Sequence, residues 1–157
     1  MTSKKLKYQE QLSIYPNCPP ANYSEIERDA FRWVHASENE NDFKPVNLIN
    51  DPPQRILDDT DKMCMGYGLS IFDSFENAFE KYKKQYTNRR SHLRLGFILD
   101  FGECIATLQV TYSDGIAAEP SKTNFGHFTF HEYENVNLRD KVKSLFNIFD
   151  PNGRFIN

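Results

Sequence analysis

The sequence predicts a single α+β domain with a central mixed or mostly antiparallel sheet and a few flanking helices. A chain of 157 residues fits one domain and is long enough to bury a core. Aromatic residues make up 14% of the chain, which favours a sheet because aromatic side chains pack well on a pleated surface. The predicted strands occur in groups instead of alternating with helices, which argues against a doubly wound parallel sheet.

The N-terminal part of the chain is predicted to differ from the rest. Pro16, Pro19 and Pro20 interrupt any helix there, because proline lacks an amide donor and clashes with the preceding turn. We therefore predict an extended arm over residues 1–22 and the single α+β domain over residues 23–157.

The first elements of the domain follow from capping and periodicity. Ser24–Glu27 fits a capping box and predicts a short helix that ends near Ala30. Phe31–His35 alternates in the manner of a strand. Residues 36–62 are polar and rich in turn residues, with a short strand predicted at Val46–Ile49. Loops of this length often carry function.

A strand followed by a helix is predicted in the middle of the chain. Met65–Phe72 is an apolar strand, and Ser74 can cap the helix that follows it. Helical spacing of apolar side chains supports that helix, at Phe75, Ala78, Phe79, Tyr82 and Tyr86.

The C-terminal half predicts further strands and one more helix. Leu93–Phe101 and Cys104–Tyr112 are predicted strands joined by a hairpin turn. Residues 113–126 form a second long loop. His127–Glu134 alternates with period two and predicts a strand. Apolar residues at helical spacing after Asn137 predict the last helix.

Charge and hydropathy exclude some function classes. The net charge of −3 gives no overall attraction to nucleic acid or to anionic membranes. No apolar stretch approaches the roughly 18 residues of a membrane span. The basic N-terminus has no apolar segment after it, so a secretory signal is not predicted.

The cysteines and histidines predict neither a disulfide framework nor a metal site. Cys18, Cys64 and Cys104 are odd in number and widely spaced, so reduced thiols and a cytoplasmic location are expected. His127 and His131 would lie about 13 Å apart on a strand, too far to share one metal ion.

Two pairs of polar residues are candidates for chemistry. Glu132 and Glu134 lie about 7 Å apart on one strand face, and two carboxylates so placed can act on a sugar. The alternative is a solvated strand end, because Glu-x-Glu occurs twice elsewhere in the chain. Arg32 could clamp a phosphate and His35 could bond a ribose hydroxyl. A surface arginine and a satisfied core histidine are the alternative.

Two further features admit a functional and a structural interpretation. Gly66 and Gly68 would let a planar ligand approach the backbone closely, or they relieve crowding at the start of a strand. Residues 81–94 form a basic run, which is the only feature that suggests nucleic acid. A solvated helix end is the alternative for that run.

Three features occur in one order along residues 31–134. Arg32–His35 lies on an early strand, Gly68–Phe72 leads into a helix that reaches Tyr82, and Glu132–Glu134 lies on a late strand. This order resembles the ADP-ribosyltransferase superfamily. In that superfamily an early strand carries Arg or His, a strand with Ser or Tyr precedes a helix, and a late strand carries Glu.

The resemblance implies cleavage of the nicotinamide–ribose bond of NAD, with NAD as the substrate. Arg32 or His35 would hold the phosphate or the ribose of NAD. Ser70 and Tyr67 would shape the nicotinamide pocket, and Tyr82 would support it.

The resemblance also implies catalytic roles for two carboxylates. Glu134 would stabilise the positive charge that develops on the ribose, and Glu132 would orient the acceptor.

The competing expectation is a non-enzymatic interaction module, such as an immunity-like, antitoxin-like or accessory partner protein. Residues 36–62, residues 113–126 and the arm at 1–22 would then form the surface for a protein partner. Binding of nucleic acid through residues 81–94 ranks below both expectations.

Overall fold

The computed structural model describes residues 4–156 and contains one six-stranded sheet with helices packed on it, which confirms the α+β fold class. Positions 1–3 of the predicted arm and position 157 of the predicted domain lie outside the described residues. The strands are β1 (Arg28–Val34), β2 (Leu69–Phe72), β3 (Cys104–Val110), β4 (Gly115–Ala117), β5 (His127–Glu132) and β6 (Val142–Asn147).

The sheet is antiparallel throughout, and its strand order is β4-β5-β2-β1-β3-β6. Strands β1, β2 and β5, which carry the predicted site residues Arg32, Ser70 and Glu132, are therefore neighbours in the sheet. Six α-helices lie within residues 4–156: α1 (Gln9–Leu12), α2 (Val46–Ile49), α3 (Gln54–Leu57), α4 (Thr60–Met65), α5 (Phe75–Thr87) and α6 (Arg94–Phe101).

The two faces of the sheet are covered differently. Ala30 and Val34 of β1 point to a face that is covered by connecting segments, including Phe43, and we call it the loop face. Phe31 and Trp33 point to the other face, which packs on α5 and α6 and which we call the helix face. Because side chains alternate between the two faces of β1, this strand contributes to two separate hydrophobic cores.

Helix α5 begins where its cap predicts. The Ser74 hydroxyl accepts a hydrogen bond from the Asn77 amide at 3.1 Å, which satisfies one of the free donors of the first turn. Tyr82 is fully buried against the sheet, and its hydroxyl donates to the Gly102 carbonyl at 2.6 Å. The predicted cap and the inward side of this helix are confirmed.

Strands β1 and β2 pair over a much shorter length than their neighbours. Between them only Phe31 lies opposite Phe72, whereas β1 pairs with β3 at seven positions. Beyond this pair the two strands separate between Arg32 and Ser70, and we call this gap the β1–β2 split. The split lies in the middle of the sheet. Backbone polar atoms at this gap are not paired between β1 and β2, so side chains can bond them.

The described part of the predicted arm is packed on the domain. Leu6 and Leu12 are buried in a small cluster that also contains Cys64. Cys18 and Cys64 form a disulfide bond, with their Cα atoms 5.7 Å apart. The prediction of reduced thiols is therefore wrong for these two cysteines, because folding brings together residues 46 positions apart. Disulfides persist mainly in oxidising compartments, so the cysteines no longer support a cytoplasmic location.

The segment from Leu93 to Phe101 is wrongly predicted as a strand. It forms a short 3₁₀ turn and then α6. Phe97 and Phe101, four residues apart, both contact the Trp33 ring, at 6.0 and 5.9 Å between ring centres. Only helical spacing brings both rings to one partner, whereas a short apolar run alone does not distinguish a strand from a helix.

The prediction of a last helix is also wrong. Residues after Asn137 form a 3₁₀ turn at Leu138–Lys141 and then strand β6. Leu145 pairs with Ala106 of β3, which would otherwise be an edge strand with unpaired backbone groups. Pairing to β3 overrides the helical spacing of the apolar residues.

Two short elements also have a secondary structure different from the one predicted. Ser24 pairs with Ala117 of β4 through two backbone hydrogen bonds, so the predicted helix up to Ala30 does not form and β1 starts at Arg28. Val46–Ile49 forms α2 instead of a strand. In the first case a tertiary pairing outweighs a local capping signal.

Candidate functional site

Arg32 fills the β1–β2 split. Its Nε donates to the Asp42 carbonyl and its Nη1 donates to the Ser70 carbonyl, both at 2.7 Å. Burial lowers the pKa of Arg32 to about 10, against the opposing charges of Asp42 and Glu132. The guanidinium therefore stays charged at neutral pH, and it replaces the missing strand pairing at this point with side-chain hydrogen bonds.

Ser70 bonds a histidine on the neighbouring strand. It lies opposite Thr129 in the β2–β5 ladder, and its exposed side chain points to the helix face. The Ser70 hydroxyl makes a hydrogen bond with Nε2 of His127, the first residue of β5. Within residues 4–156 the other ring nitrogen of His127 has no hydrogen-bond partner.

The surroundings of His127 keep its imidazole neutral. Burial lowers the pKa of His127, and the positive charges of Lys81 and Arg32 lower it further. A neutral ring with its proton on Nδ1 can accept the Ser70 hydroxyl proton at Nε2. A hydroxyl in contact with a neutral imidazole is the arrangement in which a side-chain base can activate a nucleophile.

His35 is tied to a buried carboxylate. Its Nδ1 lies 2.6 Å from Asp42 Oδ1, and its Nε2 lies 2.8 Å from the Leu99 carbonyl. Both partners are acceptors, so both ring nitrogens donate and the imidazole carries a positive charge. Burial lowers the pKa of His35, but the hydrogen bonds to Asp42 and Leu99 and the charges of Asp42 and Glu103 raise it more, so the net shift is upward.

Glu132 and Glu134 do not face Ser70. Glu132 is buried on the loop face, where its carboxylate accepts from the Leu138 amide at 2.9 Å and pairs with Lys7 at 3.2 Å. Burial raises its pKa, against the hydrogen bond from Leu138 and the charge of Lys7. Glu134 is exposed beyond the end of β5.

The distance from Ser70 to Glu134 is large. Ser70 is opposite Thr129, and the strand from Thr129 to Glu132 alone spans about 10 Å, with Glu134 two residues further along the chain. The structure therefore brings Arg32 and Ser70 together but does not bring Glu134 to them.

The two predicted tyrosines serve the packing of separate regions. Tyr67 lies in the cluster around the disulfide, with its ring centre 6.5 Å from that of Tyr15, and burial raises its pKa. Burial raises the pKa of Tyr82 as well, and its hydroxyl is committed to the Gly102 carbonyl. Neither hydroxyl bonds Ser70.

Gly68 is explained by close packing. A Cβ at this position would come within 2.4 Å of the Thr129 side chain and 3.0 Å of the His131 ring. This favours the structural interpretation of the glycine over an approach by a planar ligand.

His131 is a second histidine that the strand buries. It is 2% exposed, and neither ring nitrogen has a hydrogen-bond partner within residues 4–156. Burial lowers the pKa of His131 to about 4, so the ring is neutral at physiological pH.

Two arginines of the basic run at residues 81–94 bond carbonyls at the end of α5. Arg89 donates to the Gln85 carbonyl at 2.9 Å, and Arg94 donates to the Thr87 carbonyl at 3.2 Å. These bonds satisfy carbonyls of the last turn, which have no partner within the helix.

Sequence reasoning missed the contact between His127 and Ser70. The available signal was the position of His127 next to Gly126, at the start of an alternating strand. Recognising its contact with Ser70 required the register of β2 against β5, which no local pattern contains.

Comparisons with protein-family models, with curated proteins and with solved structures found no match to this chain. None of the helices in the described part of the chain is long and apolar enough to cross a membrane. The group of Arg32, Ser70 and His127, on three adjacent strands, is therefore the basis for assigning a function.

Proposed function

We propose that this chain consumes NAD, by ADP-ribosyl transfer or by hydrolysis, at the β1–β2 split. One observation carries the proposal: Ser70 accepts a hydrogen bond from the Arg32 guanidinium through its carbonyl and bonds the neutral His127 ring through its hydroxyl. The Arg32 cation, beside Phe43 on the loop face, thus bonds the Ser70 backbone, while the Ser70 hydroxyl and the His127 ring lie on the helix face of the same part of the sheet.

The arrangement of the strands supports the resemblance to ADP-ribosyltransferases. The resemblance implies functional residues on an early strand, on the strand before a helix, and on a late strand. Here these are β1, β2 and β5, which lie side by side in the sheet. Tertiary adjacency of three elements that are distant in sequence is what a shared site requires.

Arg32 is suited to bind the diphosphate of NAD. Two of its nitrogens are held by carbonyl groups, and its Nη2 has no hydrogen-bond partner within residues 4–156. A fixed guanidinium that still has free N–H groups can bond phosphate oxygens. Because its pKa remains near 10, it provides this charge throughout the physiological range.

We assign the base role to His127 and not to Glu134. In hydrolysis the bond from the ribose carbon to the nicotinamide nitrogen breaks, and its electron pair leaves with nicotinamide. A bond from a water oxygen to that carbon forms, the water proton passes to the Ser70 hydroxyl oxygen, and the hydroxyl proton of Ser70 passes to His127 Nε2. The lowered pKa of His127 leaves it unprotonated and ready for this role at neutral pH.

Release of nicotinamide from NAD by the purified chain tests this proposal. We expect wild-type protein to release nicotinamide, and we expect Ser70→Ala and Arg32→Lys each to reduce the rate by about tenfold or more. Melting temperatures establish that each variant is folded. If wild-type protein releases no nicotinamide and NAD does not raise its melting temperature, the proposal is wrong.

A second candidate is an interaction module, and an exposed apolar surface on α6 favours it. Leu95 and Leu99, one turn apart, are both 66% exposed, and Leu93 and Phe101 are exposed beside them. Arg90, three residues before Leu93 in the chain, is also exposed. Contiguous exposed apolar side chains commonly mark a protein interface, and the basic residue indicates an acidic partner.

The interaction candidate is tested with a purified partner. A protein that copurifies with the chain would be identified and reconstituted from separate preparations. We expect Leu95→Asp to weaken its binding by about tenfold or more, whereas Leu145→Asp, an exposed apolar control on β6, leaves it unchanged. Equal binding by both variants would exclude α6 as the interface.

A further inference from the structure

A groove of about 510 Å³ lies at the end of the sheet where β1 begins, β2 ends and β5 begins. It is separate from the β1–β2 split, because Asp73 at its edge is three residues, about 10 Å, beyond Ser70. The residues that matter for its chemistry are Arg28, Asp73, Asn77, Glu119, Lys122 and Gly126.

Arg28 lines this groove with an incompletely bonded guanidinium. Its Nε is buried and has no hydrogen-bond partner within residues 4–156. The one hydrogen bond that this group makes to the described part of the chain is long, 3.4 Å, from Nη2 to the Asp73 carbonyl. The guanidinium lies over the Phe128 ring, 5.6 Å from its centre. A buried charged donor left without an acceptor is destabilising, so an acceptor from outside would relieve that cost.

No acidic side chain within the described residues forms an ion pair with Arg28. The Asp73 carboxylate lines the groove, and its Oδ1 accepts from the Asn77 side chain at 2.8 Å. Gly126 packs directly against that carboxylate, since a Cβ there would lie 1.8 Å from Asp73 Oδ1. Asp73 is thereby held away from the guanidinium that its carbonyl contacts.

Two further features favour an anion in the groove. Lys122 is exposed on its rim and has no ion-pair partner within residues 4–156. Helix α5, which is 13 residues long, starts beside the groove, and Asn77 of its first turn lines it. The positive end of the helix dipole adds to the two cationic side chains.

We propose that this groove binds a small oxyanion, a carboxylate or a phosphate group, through the Arg28 guanidinium. The planar fork of arginine bonds such groups through two parallel hydrogen bonds. Asp73 and Glu119, on the same rim, would accept hydrogen bonds from hydroxyl or amino groups of the same ligand. The proposal is independent of NAD chemistry, since the side chains of Arg28, Asp73 and Glu119 make no hydrogen bond to Ser70 or His127 within residues 4–156.

Titration with inorganic phosphate and with acetate, at constant ionic strength, tests the site. We expect one or both anions to shift the backbone amide resonance of Gly126 in a saturable way and to raise the melting temperature. Arg28→Gln should weaken this binding by about tenfold or more, which corresponds to about 1.4 kcal/mol. Arg90→Gln, at an exposed arginine outside the groove, should leave it unchanged.

Tighter binding of phosphate or of acetate identifies the ligand class, because it shows whether the site prefers a phosphate group or a carboxylate. If neither anion shifts Gly126 in the wild-type protein, or if Arg28→Gln titrates like the wild type, the proposal is wrong. Should Arg28→Gln fail to fold, Lys122→Gln is measured in its place and should weaken binding by about threefold.

Discussion

Replacing His35 with Gln should destabilise the protein most at low pH. The substitution removes the ion pair with Asp42, which is 7% exposed, and the hydrogen bond to the Leu99 carbonyl. Loss of one partner of a buried ion pair costs about 3–5 kcal/mol. We expect about 3 kcal/mol, the lower end, because the Asp42 carboxylate still accepts from the backbone amide of residue 35 at 3.2 Å.

The sign of the pH dependence follows from the direction of the shift. In the folded protein the pKa of His35 is raised above its ordinary value of 6.5. Its stabilising contribution is therefore fully present below pH 6.5 and is lost as the pH rises through the higher folded value. The difference in unfolding free energy between wild type and His35→Gln should accordingly shrink from pH 6 to more alkaline pH.

Urea denaturation of both proteins at several pH values measures this difference. Taking the difference cancels the contribution of His131, whose lowered pKa acts in the opposite direction in both proteins. His92→Gln, at an exposed histidine, serves as the control and should leave stability unchanged. A difference below about 1 kcal/mol, or one that grows with pH, would refute the charged assignment of His35.

Three further substitutions probe other parts of the fold by chemical denaturation. Cys18→Ser should lower the unfolding free energy by about 4 kcal/mol, because the disulfide to Cys64 closes a loop over a separation of 46 residues, and a reductant should do the same to wild type only. Tyr82→Phe should cost about 1 kcal/mol, since it removes one buried hydrogen bond and keeps the ring, and a cost near zero would refute that bond. Gly102→Ala should cost more than about 2 kcal/mol, because its φ is +87° and a Cβ would lie 2.1 Å from the Val34 carbonyl oxygen, and a neutral effect would contradict this backbone geometry.

The elements that sequence predicted correctly are those whose signals are local. Ser74 caps α5 with its own side chain, and the apolar spacing up to Tyr82 lies within one helix. Alternation from His127 to Glu132 likewise identifies β5 without knowledge of its neighbours. Such patterns reflect backbone geometry that each segment imposes on itself.

The elements that were predicted wrongly depend on distant partners. Leu145 and Phe146 have helical spacing with their neighbours, yet they pair with β3 because that strand needs a partner. The apolar run around Phe97 fits a strand, yet it forms a helix because its rings converge on Trp33. The disulfide of Cys18 is likewise a consequence of the tertiary fold.

In the candidate site, too, some residues were identified from the sequence and one was not. Arg32 was identified from its place on a predicted strand and Ser70 from the resemblance to ADP-ribosyltransferases, and the structure joins them by a hydrogen bond. The pairing of β2 with β5 sets His127, and not Glu134, beside Ser70, and the sequence contains no direct record of that register.

Nicotinamide release from NAD, measured for wild type, His127→Gln and Glu134→Gln side by side, tests the proposed NAD site and its base most directly. We predict that His127→Gln loses about tenfold or more of the rate, because its neutral imidazole, in contact with Ser70, is the proposed base. Glu134→Gln should release nicotinamide at the wild-type rate. The opposite outcome, loss of release with Glu134→Gln and an unchanged rate with His127→Gln, would contradict the site described for Arg32, Ser70 and His127.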